Sequence, residues 1–317
     1  MKTNRPKIIL AGGSGFIGQI LARCFNERNF EVIVLTRSPK ANRCAIREIE
    51  WDGKTLGAWT AELENARAVV NLAGRSVNCR YHARNRRVLM ESRLEPTRVL
   101  GDAIARCECP PRVWLNASTA TIYKHSLDRT MDEAGEIGAT PAAKDAFSIE
   151  LAVAWEKMFN ETRTRGTRKI LLRTAMVLGP GKNSVFPALR RLARLGLGGK
   201  MASGRQFVSW IHEEDFRRAI QWLIEREDFS GAVNVAAPNP IPNREVMRIF
   251  RRVCGLPFGL PAPLWLLEIG AFFLRTETEL IIKSRRVVPR RLEAAGFMFR
   301  FREMEDAVRE IESRMGE

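Results

Sequence analysis

The stretch Lys7-Ile8-Ile9-Leu10-Ala11-Gly12-Gly13-Ser14-Gly15-Phe16-Ile17-Gly18 decides the fold. A short apolar run that stops at glycines suits a strand buried on both faces of a parallel sheet. From Phe16 to Arg28 the apolar residues Ile17, Ile20, Leu21 and Phe25 recur at helical spacing. Gly12, Gly15 and Gly18 therefore occupy a strand-to-helix turn in the pattern GxxGxxG. The first glycine permits the tight turn, the second lets backbone approach a pyrophosphate, and the third allows close packing of helix on strand. The turn predicts a dinucleotide site in which Gly12, Ser14, Gly15, Phe16, Ile17 and Gly18 offer free N–H groups and a positive helix end to a diphosphate.

Working outward, Glu31–Leu35, Ile46–Trp51, Ala68–Leu72, Arg112–Ala117 and Lys169–Arg173 read as further strands. Helical patterns fill about 82–106 and 146–164, and Pro96 is expected to kink or divide the first of these. Strands alternating with helices predict an α/β fold of the Rossmann type, a doubly wound parallel sheet. After Gly179 the pattern changes. Phe207–Ile211 reads as a short strand, Glu213–Ile224 as a helix and Asn239–Pro242 as a turn. The remainder is mostly helical, with a proline-rich break at Leu256–Pro263 and a last helix near Glu303–Arg314. Residues 1–180, with contributions from 205–236, are expected to form the dinucleotide-binding domain. Residues 181–317 are expected to form a smaller, mostly helical substrate-side region.

The end of the second strand separates the two nicotinamide dinucleotides. A site for NAD places an acid there to accept from the ribose hydroxyls. This chain reads Val34-Leu35-Thr36-Arg37-Ser38. The Arg37 guanidinium fits a charge-assisted fork to a 2′-phosphate, helped by the hydroxyls of Thr36 and Ser38. NADP(H) is the expected cofactor. Leu72-Ala73-Gly74 ends the fourth strand with small residues that let backbone lie against the adenosine side. Ala117, Thr174 and Met176 complete the expected cofactor set. The last two come from Arg173-Thr174-Ala175-Met176-Val177, which offers backbone groups to the carboxamide.

A chain of 317 residues buries a core without staples. Its net charge of +16 raises the question of an anionic partner. The arginines, however, fall in short groups along the whole chain, such as Arg84 with Arg86 and Arg87, or Arg285 with Arg286. There is no basic tail and no RNA-binding aromatic motif, so nucleic acid is not the expected partner. Cys24, Cys44, Cys79, Cys107, Cys109 and Cys254 show no CxxC pair and read as reduced thiols, and no metal site is expected. Met1 to Lys7 is polar and has no secretory pattern. Leu264–Leu274, the most apolar stretch, is too short to span a bilayer and contains Glu268. These features point to a cytoplasmic protein, monomer or homodimer, with no membrane partner.

The motifs resemble those of the extended short-chain dehydrogenase/reductase superfamily. The similarity is closest to its atypical branch, the epimerase-like YfcH/SDR39U1 family, some members of which carry the label cell-division inhibitor SulA. It is carried by Gly12 to Gly18, Leu35-Thr36-Arg37, Asn71 to Gly74, Ser92-Arg93 with Thr97, and Trp155-Glu156. It continues through Leu172-Arg173-Thr174, Val177-Leu178-Gly179, Gly198-Gly199, Gly204 with Gln206, and Ser209-Trp210-Ile211-His212. Near the end it includes Arg286-Val287, Pro289 and Ala295-Gly296-Phe297. The resemblance implies that about 246–317 is a small C-terminal segment covering the substrate pocket.

It also implies where the chain departs from ordinary members. Those transfer protons with a serine and a YxxxK pair, in which the lysine lowers the tyrosine pKa. Ser118 follows the fifth strand as expected, but Phe147 and Leu151 occupy the tyrosine and lysine spacings. Ser118 and Tyr123 are the catalytic candidates that remain; Tyr123 reads first as a packing residue that lines the pocket, and otherwise as a phenol able to supply a proton. His212 reads as orienting a turn before a helix, and Trp210 as a core residue or a platform for a planar substrate. Two functions follow. One is an oxidoreductase or nucleotide-sugar epimerase-like enzyme acting on an unidentified small molecule. The other is a catalytically silent NADP(H) sensor or scaffold that binds a protein partner.

Overall fold

The computed structural model describes residues 5–40, 46–274 and 277–316; Cys44 and the first four residues lie outside them. Seven parallel strands form the central sheet: β1 (Lys7–Ala11), β2 (Glu31–Thr36), β3 (Ile46–Glu50), β4 (Ala68–Asn71), β5 (Val113–Thr119), β6 (Arg168–Thr174) and β10 (Gly231–Val235). Their order is β3-β2-β1-β4-β5-β6-β10, so the chain reverses direction across the sheet between β1 and β4. Ligands of open α/β sheets bind at such a switch point, outside the carboxyl ends of the strands.

Both faces of the sheet are covered, which explains the unbroken apolar runs. Along β1, Ile8 and Leu10 face α1 (Phe16–Glu27) and α5 (Glu213–Glu225), meeting Leu21, Phe25, Phe216 and Ile220. Ile9 and Ala11 face the other way, toward α2 (Ala83–Ile104) and α3 (Ala146–Glu161), in a cluster with Leu100, Ile104, Trp114 and Phe159. The predicted doubly wound α/β sheet is therefore present.

Several local expectations are corrected. Helix α2 is not divided: it runs for 22 residues with Pro96 buried inside it. Leu89, Val99, Leu100, Ala103 and Ile104 are buried along it, and that packing outweighs the one hydrogen bond the proline cannot donate. Between β6 and β10 come β7 (Met176–Leu178), α4 (Phe186–Leu192), β8 (Phe207–Val208) and β9 (Trp210–His212). The single strand expected at 207–211 is thus two. β8 pairs antiparallel with β11 (Ile241–Pro242), part of the expected turn, and β9 pairs parallel with β7. Ser209 marks the break, its hydroxyl donating to Arg285 O and accepting from Val287 N.

Beyond β11 the chain forms α6 (Asn243–Val253), α7 (Leu264–Leu274), α8 (Glu279–Ile282), α9 (Arg290–Ala294) and α10 (Met304–Gly316). Trp210, Phe186, Phe250, Val308 and Ile311 build a separate core among α4, α6 and α10. Among the described residues no helix is long and apolar enough to cross a membrane.

Candidate active site

The glycine turn lies at the carboxyl end of β1. Gly12 has φ +72°, and a Cβ there would meet Ala73 Cα at 2.8 Å, so only glycine fits beside the end of β4. A Cβ on Gly18 would collide with the backbone of Gly13. At Gly15, by contrast, a Cβ would meet nothing within 4 Å, because that side opens into a cavity of about 630 Å³. No side chain caps α1 and no acid occupies its first turn, so its first N–H groups and positive end face that space uncompensated. Gly12, Ser14, Gly15, Thr36, Arg37, Leu72, Ala73 and Gly74 all line the cavity. Phe16 and Ile17 instead pack their side chains on the core beneath α1, leaving only their backbone to the turn.

At the β2 end, Thr36 is buried and its hydroxyl accepts from Ser38 N at 3.5 Å. Arg37 is exposed and has no hydrogen-bond or ion-pair partner among the described residues. Lys54 lines the same end of the cavity, a second cation that the sequence reading missed. The signal for it was the Asp52-Gly53-Lys54 turn just after β3. Asp52 lies beside it, but its carboxylate accepts from Lys54 N, Thr55 N and the Thr55 hydroxyl. Those donors, Thr55 N first, hold Asp52 below the usual carboxylate range and commit its oxygens to its own turn.

A buried polar ladder fixes the β4 end. Asn71 and Asn116 are register partners on β4 and β5. Asn71 Nδ2 donates to Asn116 Oδ1 at 2.7 Å, while Asn71 Oδ1 accepts from Ala73 N at 3.1 Å. The Thr97 hydroxyl accepts from Trp155 Nε1 at 3.0 Å, tying α3 to α2 behind the ladder. Here the scattered motif residues Asn71, Thr97 and Trp155 become one device that aims the Ala73 amide.

Farther along the strand ends, Ser118 and Arg173 are register partners on β5 and β6. The Ser118 hydroxyl donates to Glu156 Oε1 at 2.6 Å. Arg173 holds the same carboxylate with two bonds, at 2.9 and 2.8 Å. Its Nη1 also donates to Tyr123 Oη at 2.9 Å, and Tyr123 Oη donates to Asn234 Oδ1 at 2.7 Å. Burial alone would depress Arg173, but Glu156 and Tyr123 more than restore it and leave it firmly cationic. Burial pushes the Tyr123 phenol up, with Arg173 and Asn234 pulling the other way. The structure therefore gathers Ser118 and Tyr123 into one network in which both hydroxyl protons have protein acceptors. Ala117 and Met176 are partly buried, the latter against the α6–α10 core, and the Thr174 hydroxyl donates to Leu172 O at 3.2 Å.

Phe147 and Leu151 are buried together with Leu89, and Tyr81, Val77, Cys79 and Met90 pack around them. The apolar residues at the two expected proton-transfer positions thus face an apolar cluster. Trp210 is a core residue whose Nε1 donates to Asn239 O. His212 caps α5: its Nδ1 accepts from Glu214 N at 3.1 Å, and its Nε2 faces Glu310 at 2.8 Å. Among the described residues no three His, Cys, Asp or Glu side chains gather as a metal site requires.

Comparison with known proteins agrees with this architecture. Residues 8–236 match the NAD dependent epimerase/dehydratase family, and residues 262–311 match a domain of unknown function, DUF1731. The chain is 32% identical over 311 residues to epimerase family protein SDR39U1 of Bos taurus, covering 96% of this chain and 99% of that one. It is 31% identical over 310 residues to epimerase family protein Mb2239 of Mycobacterium bovis, covering 98% of each. A crystal structure of human epimerase family protein SDR39U1 (isoform 2) with NADPH superposes with a TM-score of 0.85 at 29% identity, over 97% of this chain and 99% of that one. With its glycine turn at the sheet's switch point and a family match running from β1 to just past β10, the chain belongs to the NAD dependent epimerase/dehydratase family.

Proposed function

We propose that the chain binds NADP(H) across the carboxyl edge of the sheet and is an atypical short-chain dehydrogenase/reductase, an oxidoreductase or epimerase-like enzyme acting on a small molecule. One observation carries this reading. The cavity joins an uncapped helix end at Gly15 to a guanidinium at Arg37 that has no partner among the described residues, with Lys54 beside it. The first suits a diphosphate and the second a 2′-phosphate. The residues present fit the cofactor, because Gly15 leaves space where backbone must approach it and no carboxylate ends β2. The similar human protein crystallised with NADPH supports the same choice.

Bound there, the dinucleotide supplies hydride chemistry, and the protein supplies position and charge. In this reading the Ser118–Glu156–Arg173–Tyr123 network is a rigid wall on the substrate side: Ser118 and Tyr123 act by holding the buried ion pair in place. Calorimetry with NADPH and NADH tests the reading. NADPH is expected to bind at least tenfold more tightly, and absence of uptake of both would overturn it. Tight uptake without turnover of any carbonyl compound or nucleotide sugar would instead favour the silent sensor.

A further inference from the structure

Three adjacent strands of the sheet open on an arginine. Arg67 directly precedes β4, Arg112 directly precedes β5, and Arg168 is the first residue of β6. Their backbones continue the ladder: Arg112 N donates to Ala66 O at 3.2 Å, and Arg168 N donates to Arg112 O at 3.0 Å. Neighbouring strands lie about 4.8 Å apart, so the sheet itself brings three guanidinium groups to one place on its amino edge. That edge is the one opposite the glycine turn and Arg37. There the three arginines line a second cavity, of about 250 Å³, together with Gly166, Ile224 and Glu227.

Like charges gathered at one cavity repel one another, and little around these compensates. Arg168 is fixed by carbonyls at the carboxyl end of α5: its Nη1 donates to Phe229 O at 2.7 Å, and its Nη2 to Leu223 O at 3.1 Å and Ile224 O at 3.2 Å. Those bonds orient the group and leave its charge without a carboxylate. Burial depresses Arg168, Glu227 raises it and Arg67 lowers it again, which puts Arg67 within electrostatic reach. Asp228 adds a smaller pull, but Arg226 already holds its carboxylate at 2.8 and 2.6 Å. Arg67 is half-buried and Arg112 is exposed, and neither guanidinium has a hydrogen-bond or ion-pair partner among the described residues. Glu227 is the one acid of the lining, and it forms no ion pair with any of the three. Elsewhere the fold pairs its arginines with acids, as Arg190 with Glu312; here three cations face a single unpaired carboxylate.

We propose that this cavity is an anion site, separate from the dinucleotide cavity, that takes a small phosphoryl group: inorganic phosphate or pyrophosphate, or the terminal phosphate of a small molecule. Planar guanidinium groups match phosphoryl oxygens two at a time. Arg67 and Arg112 have no existing pair to break and supply the contacts, while Arg168, clamped to α5, supplies fixed charge behind them. An anion there relieves the repulsion among the three. Size and lining set the class. The volume is about 250 Å³ against about 630 Å³ for the dinucleotide cavity, and no aromatic face lines it on which a base could stack. No residue lines both cavities, so the site stands apart from the cofactor reading.

Calorimetry with inorganic pyrophosphate tests the site, on protein saturated with NADPH so that the turn at Gly15 is filled. Pyrophosphate is expected to bind. The double substitution Arg67→Gln with Arg112→Gln is expected to weaken it at least tenfold, and Arg37→Ala to leave it within about twofold. NADPH affinity and the thermal midpoint of the double variant are expected to match the wild type, since neither side chain holds another part of the fold. Glu227→Gln removes the one carboxylate and is expected to tighten pyrophosphate about threefold. Uptake that survives in the double variant, a loss in Arg37→Ala instead, or no uptake at all overturns the proposal. Unchanged affinity in Glu227→Gln overturns it equally, with every arginine in place. A thymidine dodecamer that binds more tightly than pyrophosphate, and is lost in the double variant, would make this edge a nucleic-acid surface and overturn the small-anion assignment.

Discussion

At position 37 a guanidinium with no partner among the described residues lines a cavity that the glycine turn also lines. Its free state is what a phosphate site needs, since a cation already paired must break that pair to bind. Arg37→Ala is expected to weaken NADPH about 10- to 100-fold, or about 1.4–2.8 kcal/mol, and NADH hardly at all. Calorimetry on the two cofactors checks it, and equal losses for both would assign Arg37 to something other than the 2′-phosphate. His212 is a residue of the opposite kind, sealed beneath Phe301 and spent on capping. Burial lowers its imidazole below the ordinary value, more than the facing Glu310 raises it, with Glu213 and Arg314 as smaller influences of opposite sign. His125 is lowered too, again mainly by burial. As pH falls through about 6.5 the unfolded chain takes up protons that the folded chain refuses, so stability declines toward the depressed folded values. His212→Gln is expected to flatten that decline between pH 7.5 and 5.5, measured by urea denaturation at each pH. A slope equal to the wild type's would assign the titration elsewhere.

Among the elements, the β1–α1 unit makes separable demands on its glycines. Gly15 faces open space at φ −76°, a conformation any residue adopts. Gly15→Ala is therefore expected to leave folding stability within about 0.5 kcal/mol of wild type and to weaken NADPH at least tenfold. Gly18→Ala drives a methyl into the Gly13 backbone and is expected to cost about 1–3 kcal/mol of stability as well. Urea melts paired with calorimetry separate the two, and a destabilised Gly15→Ala protein would contradict the open geometry. This unit was legible in the sequence because its logic is local: strand, turn and helix are contiguous, and each glycine answers to neighbours within a few residues. Strand β10 was not legible. It is only Gly231-Ala232-Val233-Asn234-Val235, opens on a glycine and carries a polar residue inside. Its strand character comes from pairing with β6, whose register partners lie about sixty residues earlier.

Across the whole molecule, cofactor binding and folding are linked. A ligand that binds only the folded state at 100 times its Kd adds about 2.7 kcal/mol. NADPH is thus expected to raise the melting temperature of the wild-type protein at concentrations where NADH does little, and Arg37→Ala is expected to erase the difference. A thermal shift series over both cofactors checks it, and identical shifts would remove the case for selectivity. The +16 charge also looks different once folded. Many arginines are committed to carboxylates on distant segments: Arg190 and Arg194 hold Glu312, Arg252 holds Glu305, and Arg314 holds Glu213. They fasten α10 to the rest of the protein.

By itself the sequence determined the alternating α/β architecture and the glycine turn after β1, and it marked Arg37 after β2 as the residue proposed to select the cofactor, because each is written in residues adjacent along the chain. The missing tyrosine and lysine were equally plain at Phe147 and Leu151. Only the tertiary structure decided what those absences left behind. The Ser118–Glu156–Arg173–Tyr123 network joins β5, α3, β6 and the turn after β5, and it reaches β10 through the bond from Tyr123 to Asn234. Whether a hydroxyl is free or spent depends on which acceptors folding brings within about 3 Å, and residues more than a hundred positions apart set that distance.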